Sequence, residues 1–206
     1  WIRLFAYPQT WAIIAGKLLI DPIYWFFLFW LPAYLSSSFN LDLTKLSPEL
    51  IIIYGATTVG SIGGGYFSSL LIRKGWLAVK ARKFVLLVIA VLEVSIFFTQ
   101  FVSNIWAVVL IISAAVALHQ AWATNIFTLA SDLVSKTSVG SVVGIAGMAG
   151  AVGGILFPML IGYLLDLYRL KGNITGGYNI LFTICSVSYL AAWVLIHFLT
   201  KKAKTI

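Results

Sequence analysis

The sequence predicts an all-α integral membrane protein, a bundle of six transmembrane helices, and three observations carry that prediction. Of 206 residues, 61% are hydrophobic and 10% are charged, with a mean hydropathy of +1.02; soluble domains are about 25% charged. Six apolar segments each supply the ~20 residues that a helix needs to cross ~30 Å of hydrocarbon. The apolar runs are too long for strands, and they lack the period-two alternation of a transmembrane barrel. The same composition excludes a disordered chain, a collagen, a coiled coil and a disulfide scaffold, the last because Cys185 is the single cysteine.

The spans are expected at about residues 10–35, 48–72, 84–102, 105–131, 138–165 and 178–199. Pro22 lies inside the first; lacking an N–H, it frees the carbonyl of Leu18 and is expected to kink the helix. Pro48 opens the second, which carries Gly55, Gly60, Gly63, Gly64 and Gly65. The third follows a basic connector, and only Ser103 and Asn104 separate it from the fourth, so these two run antiparallel. The fifth holds Gly140, Gly144, Gly147, Gly150, Gly153 and Gly154, with small residues four apart at 140/144 and 150/154. Small residues let helix backbones approach closely in lipid. They serve either packing within this bundle or a sliding contact with a second one.

The net charge of +8 does not indicate nucleic acid, because the cations sit beside the spans. An even number of spans puts both ends on one side. Arg3, Arg73, Lys74, Lys80, Arg82, Lys83, Lys136, Lys201, Lys202 and Lys204 then share a face, opposite Lys45, Arg169 and Lys171. By the positive-inside rule the richer face is cytoplasmic. The chain begins at Trp1 without an initiator Met and reads as an excerpt of something longer.

Ionisable side chains at membrane depth cost at least about 2.5–3.5 kcal/mol each, so each needs a reason. Lys17 and Asp21 are four apart, on one face of the first span, with Tyr24 and Trp25 one turn on. They form either a wall for an anionic ligand, with Lys17 meeting its carboxylate, or a self-neutralising pair at the kink. On the fourth span His119, Gln120, Thr124 and Asn125 give amides and a hydroxyl beside the aromatic Trp122 and Phe127. Gln120, Thr124 and Phe127 share one helical face. Such a row suits a polyhydroxylated ligand; the alternative is hydrogen-bonded glue between helices. One histidine without a placed partner is thin support for a proton relay. Glu93, central in the third span, either pairs with a neighbouring helix or carries a proton. Asp166 is expected at the membrane interface.

Enzyme signatures are absent: the sequence has no HExxH, CxxC, GxSxG or GxxxxGK[ST]. Two histidines and one cysteine do not build a common metal site. The expectation is a protein that is not an enzyme and uses no metal or cofactor.

Three stretches resemble bacterial hexuronate transporters, in the anion:cation symporter family of the major facilitator superfamily. Residues 16–35, GKLLIDPIYWFFLFWLPAYL, are similar to their seventh helix. Residues 119–132, HQAWATNIFTLASD, resemble the tenth, and 140–154, GSVVGIAGMAGAVGG, the eleventh. The resemblance covers essentially the whole chain, as the C-terminal six of twelve helices, with the N-terminal half absent.

It implies a multi-pass protein of the bacterial inner membrane. It further implies proton-coupled import of glucuronate, galacturonate or related sugar acids by alternating access. The alternatives are another organic anion (an aldonate, a dicarboxylate or an aromatic acid) or, in a different class, a six-span membrane enzyme or assembly protein. The implied partners are the sugar-acid anion, the proton, the lipid bilayer and the missing half. The first and fourth spans would line the cavity with Lys17, Asp21, Tyr24, Trp25, His119, Gln120, Thr124 and Asn125. The second and fifth would face the other half, and the third and sixth would face outward, which lowers the standing of Glu93. In the cytoplasmic loop after the second span, Ser69 stands where the superfamily's motif has an acid, which puts a charge-based contact there in doubt.

Overall fold

A computed structural model describes residues 2–42 and 47–201; Lys45, Lys202 and Lys204 lie outside the described residues. Among the described residues seven α-helices follow in order: α1 (Pro8–Phe29), α2 (Leu31–Phe39), α3 (Pro48–Arg73), α4 (Ala78–Glu93), α5 (Ile105–Leu133), α6 (Val139–Leu170) and α7 (Ile174–Leu199). Short 3-10 helices cover Ile2–Ala6 and Val94–Phe101, the latter extending α4. Among the described residues, six helical segments are long and apolar enough to cross a membrane.

Local chemistry sets the boundaries. Ser47 caps α3 by accepting from the Leu50 N–H at 3.4 Å, with Pro48 in the first turn. Asn104 caps α5 through the N–H groups of Trp106 (2.9 Å) and Ala107 (3.2 Å), and Asn173 caps α7 through Gly176 at 3.0 Å. Gly75, at φ 90°, turns the chain out of α3, where the Trp76 N–H reaches back to the Leu71 carbonyl at 3.1 Å.

The first expected span divides. The chain stays helical through Pro22 and is interrupted at Trp30. Pro32 supplies the cause: without an N–H it leaves the Leu28 carbonyl unbonded at the turn before it. Tyr54 of α3 donates its hydroxyl to the carbonyls of Phe27 (3.0 Å) and Leu28 (3.3 Å). The break is thereby satisfied where an unpaired carbonyl in lipid would cost several kcal/mol.

The basic connector is shorter than expected, because Lys80, Arg82 and Lys83 already belong to the first turns of α4. Cations oppose the helix dipole at that end. Arg82 gains a compensating partner: its Nε lies 3.4 Å from Asp132 Oδ2 of α5, and its guanidinium donates to the Ser68 hydroxyl of α3. A charged contact exists at this end of the bundle, with Asp132 as its acid and α3, α4 and α5 joined by it. Asp166, on the long α6, forms only an exposed pair with Arg169 at 3.9 Å.

The helices pack chiefly as α1 on α6 and α3 on α5, with α7 against α1 and α4. Trp122, Tyr189, Phe26, Phe27 and Phe182 are the largest fully buried side chains. The glycines fall into two groups, those pressed against another helix and those facing open space. A Cβ on Gly64 would lie 2.6 Å from the Ala121 Cα, and one on Gly153 would lie 2.8 Å from the Leu18 carbonyl oxygen. These glycines let α3 meet α5 and α6 meet α1, the second beside the carbonyl that Pro22 leaves free. Gly55, Gly63, Gly140, Gly144 and Gly147 have open space where a Cβ would stand. They belong to outward faces that also expose Val59, Ile62, Tyr66, Met148 and Ile155.

Candidate substrate-binding site

The site is built where α1 and α5 approach each other. Helical spacing puts Lys17 one turn before Asp21, and the two close an ion pair of 2.7 Å with side-chain exposures of 10% and 23%. Phe127 of α5 presents its ring to the Lys17 Nζ at 4.4 Å from the centroid, a cation–π contact that holds the ammonium without neutralising it. Asp21 is backed by α6, where a Cβ on Gly150 would collide with its carboxylate. A buried charge is thus fixed between an acid and an aromatic face, with Gln120 and Thr124 half-buried on the same face of α5 as Phe127. The Thr124 hydroxyl donates to the Gln120 carbonyl at 3.0 Å and lies 3.4 Å from the Ser61 hydroxyl of α3. Chemically the wall offers one cation, one amide, two hydroxyls and a flat apolar ring.

Tyr24 links this wall to the interior. Its ring stacks on His119 at 4.9 Å with an interplanar angle of 12°. His119 is buried, and its Nδ1 sits 2.7 Å from the Tyr189 hydroxyl of α7, so it joins three helices rather than opening onto the wall. Asn125 is turned away altogether. Fully enclosed, it donates its amide N–H groups to the carbonyls of Gly64 (3.0 Å) and Ala121 (2.8 Å). Its amide nitrogen is committed to an interhelical bond that ties α5 to α3. Trp25 lies on the α6 side of α1, stacked on Phe29 at 5.7 Å and close to Gly154, one turn on from Asp21 beside Gly150.

Two residues outside the expected set complete the neighbourhood. Phe127 was expected on the right face, but its contact with Lys17 depends on the approach of α1 to α5. Tyr189 carried no signal, being one tyrosine in an apolar run of α7. Glu93 is 0% exposed and turned inward beside Tyr189 and Cys185, contrary to the outward orientation implied for its span. Neither of its carboxyl oxygens closes a hydrogen bond of good geometry. Among the described residues no group of three His, Cys, Asp or Glu side chains is placed to hold a metal.

Six apolar spans among the described residues, packed around a buried ion pair, define a multi-pass membrane protein. The Major Facilitator Superfamily profile matches residues 1–158, and the chain belongs to that superfamily. It is 30% identical over 172 residues to the probable L-galactonate transporter of Escherichia coli K12, covering 81% of this chain and 37% of that protein. The probable galactarate/D-glucarate transporter GarP of the same strain is 29% identical over 155 residues, covering 75% and 35%. Its hexuronate transporter is 25% identical over 182 residues, covering 87% and 40%. The chain therefore spans well under half the length of these curated relatives. All three are named as transporters, none as an enzyme.

Proposed function

We propose that this chain is the C-terminal half of a proton-coupled transporter that brings hexuronates or related sugar acids across a bacterial inner membrane by alternating access. The observation that carries the reading is the Lys17 ammonium, enclosed between Asp21 and Phe127 beside a wall of amide and hydroxyl groups. The carboxylate of a sugar acid would meet Lys17, its hydroxyls Gln120, Thr124 and Ser61, and its C–H face Tyr24 or Phe127. The relatives named above support the substrate class. In the complete transporter, reconstituted in liposomes with an imposed proton gradient, labelled glucuronate should accumulate. Unlabelled galacturonate, galactonate and glucarate should compete, and succinate and benzoate should not. Competition by benzoate but not by the sugar acids would replace this reading with the aromatic-acid one.

Alternating access needs two bundles that rock about a shared site. The 206-residue chain alone, reconstituted in the same way, is expected to give no gradient-driven uptake of glucuronate. Uptake by this chain alone would remove the need for a second bundle.

The orientation is tested by cysteine labelling. Cys185 is buried and gives little background. An impermeant maleimide added to intact cells should label Lys171→Cys and spare Lys80→Cys. The reverse pattern would invert the topology.

A further inference from the structure

The ends of α4 and α7 that carry the basic residues enclose a groove of about 870 Å³, within the size range of small-molecule sites, about 300–1,000 Å³. It lies apart from the Lys17 site. Lys80, Lys83 and Lys201 rim it, joined by Trp76, Trp193 and His197, while Phe84 and Leu87 continue its wall along α4. Among the described residues, no acidic side chain lines it. That sets it apart from the neighbouring Arg82, which points to the other side of α4 and has Asp132 as its partner. The wall is built rather than casual. The Trp193 indole N–H donates to the Lys83 carbonyl at 2.9 Å, and the Lys83 ammonium donates to the His197 carbonyl at 3.3 Å. Lys83 is thus half-buried and pinned, with donors left over. Trp76 and Phe84, both exposed, set their rings 5.3 Å apart at the mouth.

Three ammonium groups at one end of an otherwise apolar, aromatic-rimmed groove complement a molecule with an anionic head and a hydrocarbon body. We propose that this groove binds an anionic phospholipid of the surrounding bilayer. Lys80, Lys83 and Lys201 hold its phosphodiester, and an acyl chain runs down the groove along Phe84 and Leu87. A soluble anion fits less well, because it would leave the apolar wall in contact with water. Aromatic side chains favour the level of the headgroups, and basic pockets between membrane helices select anionic heads. The proposal does not depend on the transported substrate, so it stands or falls separately from the reading of Lys17.

The test uses the complete transporter, purified in detergent and examined by native mass spectrometry. Phosphatidylglycerol and phosphatidylcholine of identical acyl chains are added in turn. Wild type should retain phosphatidylglycerol under activation that strips phosphatidylcholine. Lys80→Gln/Lys83→Gln/Lys201→Gln should lower the retained fraction by at least about 10-fold, and the corresponding three Arg substitutions should restore it. Arg73→Gln/Lys74→Gln/Lys136→Gln removes the same charge outside the groove and should leave retention unchanged. Equal loss in that control, equal retention of the two lipids, or failure of the Arg variant to retain lipid would each overturn the proposal. Displacement of phosphatidylglycerol by millimolar inorganic phosphate would reassign the groove to a soluble anion.

Discussion

Lys17→Gln in the complete transporter is expected to weaken apparent affinity for a sugar acid on the order of 10- to 150-fold. The substitution keeps the length and polarity of the side chain and removes its charge. A charge-assisted hydrogen bond contributes about 1.5–3 kcal/mol, and each 1.4 kcal/mol is about tenfold in binding. The geometry favours the upper part of that range, because the ammonium is nine-tenths buried and lies in an apolar surround that includes the Phe127 ring. Asp21, at 2.7 Å, competes for the same cation and sets the lower part. Substrate dissociation constants by calorimetry, with thermal stability measured on the same preparations, decide the matter. If Lys17→Gln binds as tightly as wild type, the pair is structural and the anion is held elsewhere along Gln120 and Thr124. A second comparison separates the roles. Lys17→Ala strands a largely buried acid, so Lys17→Ala/Asp21→Ala should be the more thermostable of the two variants. A ligand role for Lys17 predicts that the stable double variant still fails to bind.

What could be read in the sequence was whatever depends on one helix at a time. The i, i+4 spacing of Lys17 and Asp21 gave their contact without knowledge of any neighbour, and the period of α5 put Gln120, Thr124 and Phe127 together. Contacts between helices depend on register and rotation, which no periodicity in a uniformly apolar span encodes. Asn125 illustrates the difference. Its position on α5 suited a ligand, yet the close approach of α3 at Gly64 took its amide for an interhelical bond. His119 likewise found Tyr189, seventy residues along the chain. Glu93 turned inward for the same reason: α7 offers Tyr189 and Cys185 on that side, while Val91 and Leu92 face out. The break at Trp30 had a local signal in Pro32, but the tyrosine that makes it tolerable in lipid comes from α3.

A large stability effect is expected from a single methyl group at Gly64, and the neighbouring glycine provides the control. The Cβ of Gly64→Ala would stand 2.5 Å from the Ala121 Cβ and 2.6 Å from its Cα. The second contact is with backbone, which has no rotamer to give way. α3 must therefore move off α5. That movement stretches the Asn125 bond to the Gly64 carbonyl, now 3.0 Å, and disturbs Thr124 opposite Ser61 at the edge of the wall. Overpacking of this kind costs about 1–3 kcal/mol, and the strained interhelical bond adds about 0.6 kcal/mol in a membrane bundle. Gly63→Ala meets nothing within 4 Å and should gain about 0.5–1 kcal/mol, because alanine restricts the unfolded chain more than glycine does. Thermal unfolding of the two variants in the same detergent should move in opposite directions from wild type. Equal melting temperatures would mean that α3 and α5 are not in contact at Gly64, and the assignment of Asn125 to the helix interface would fall with that contact.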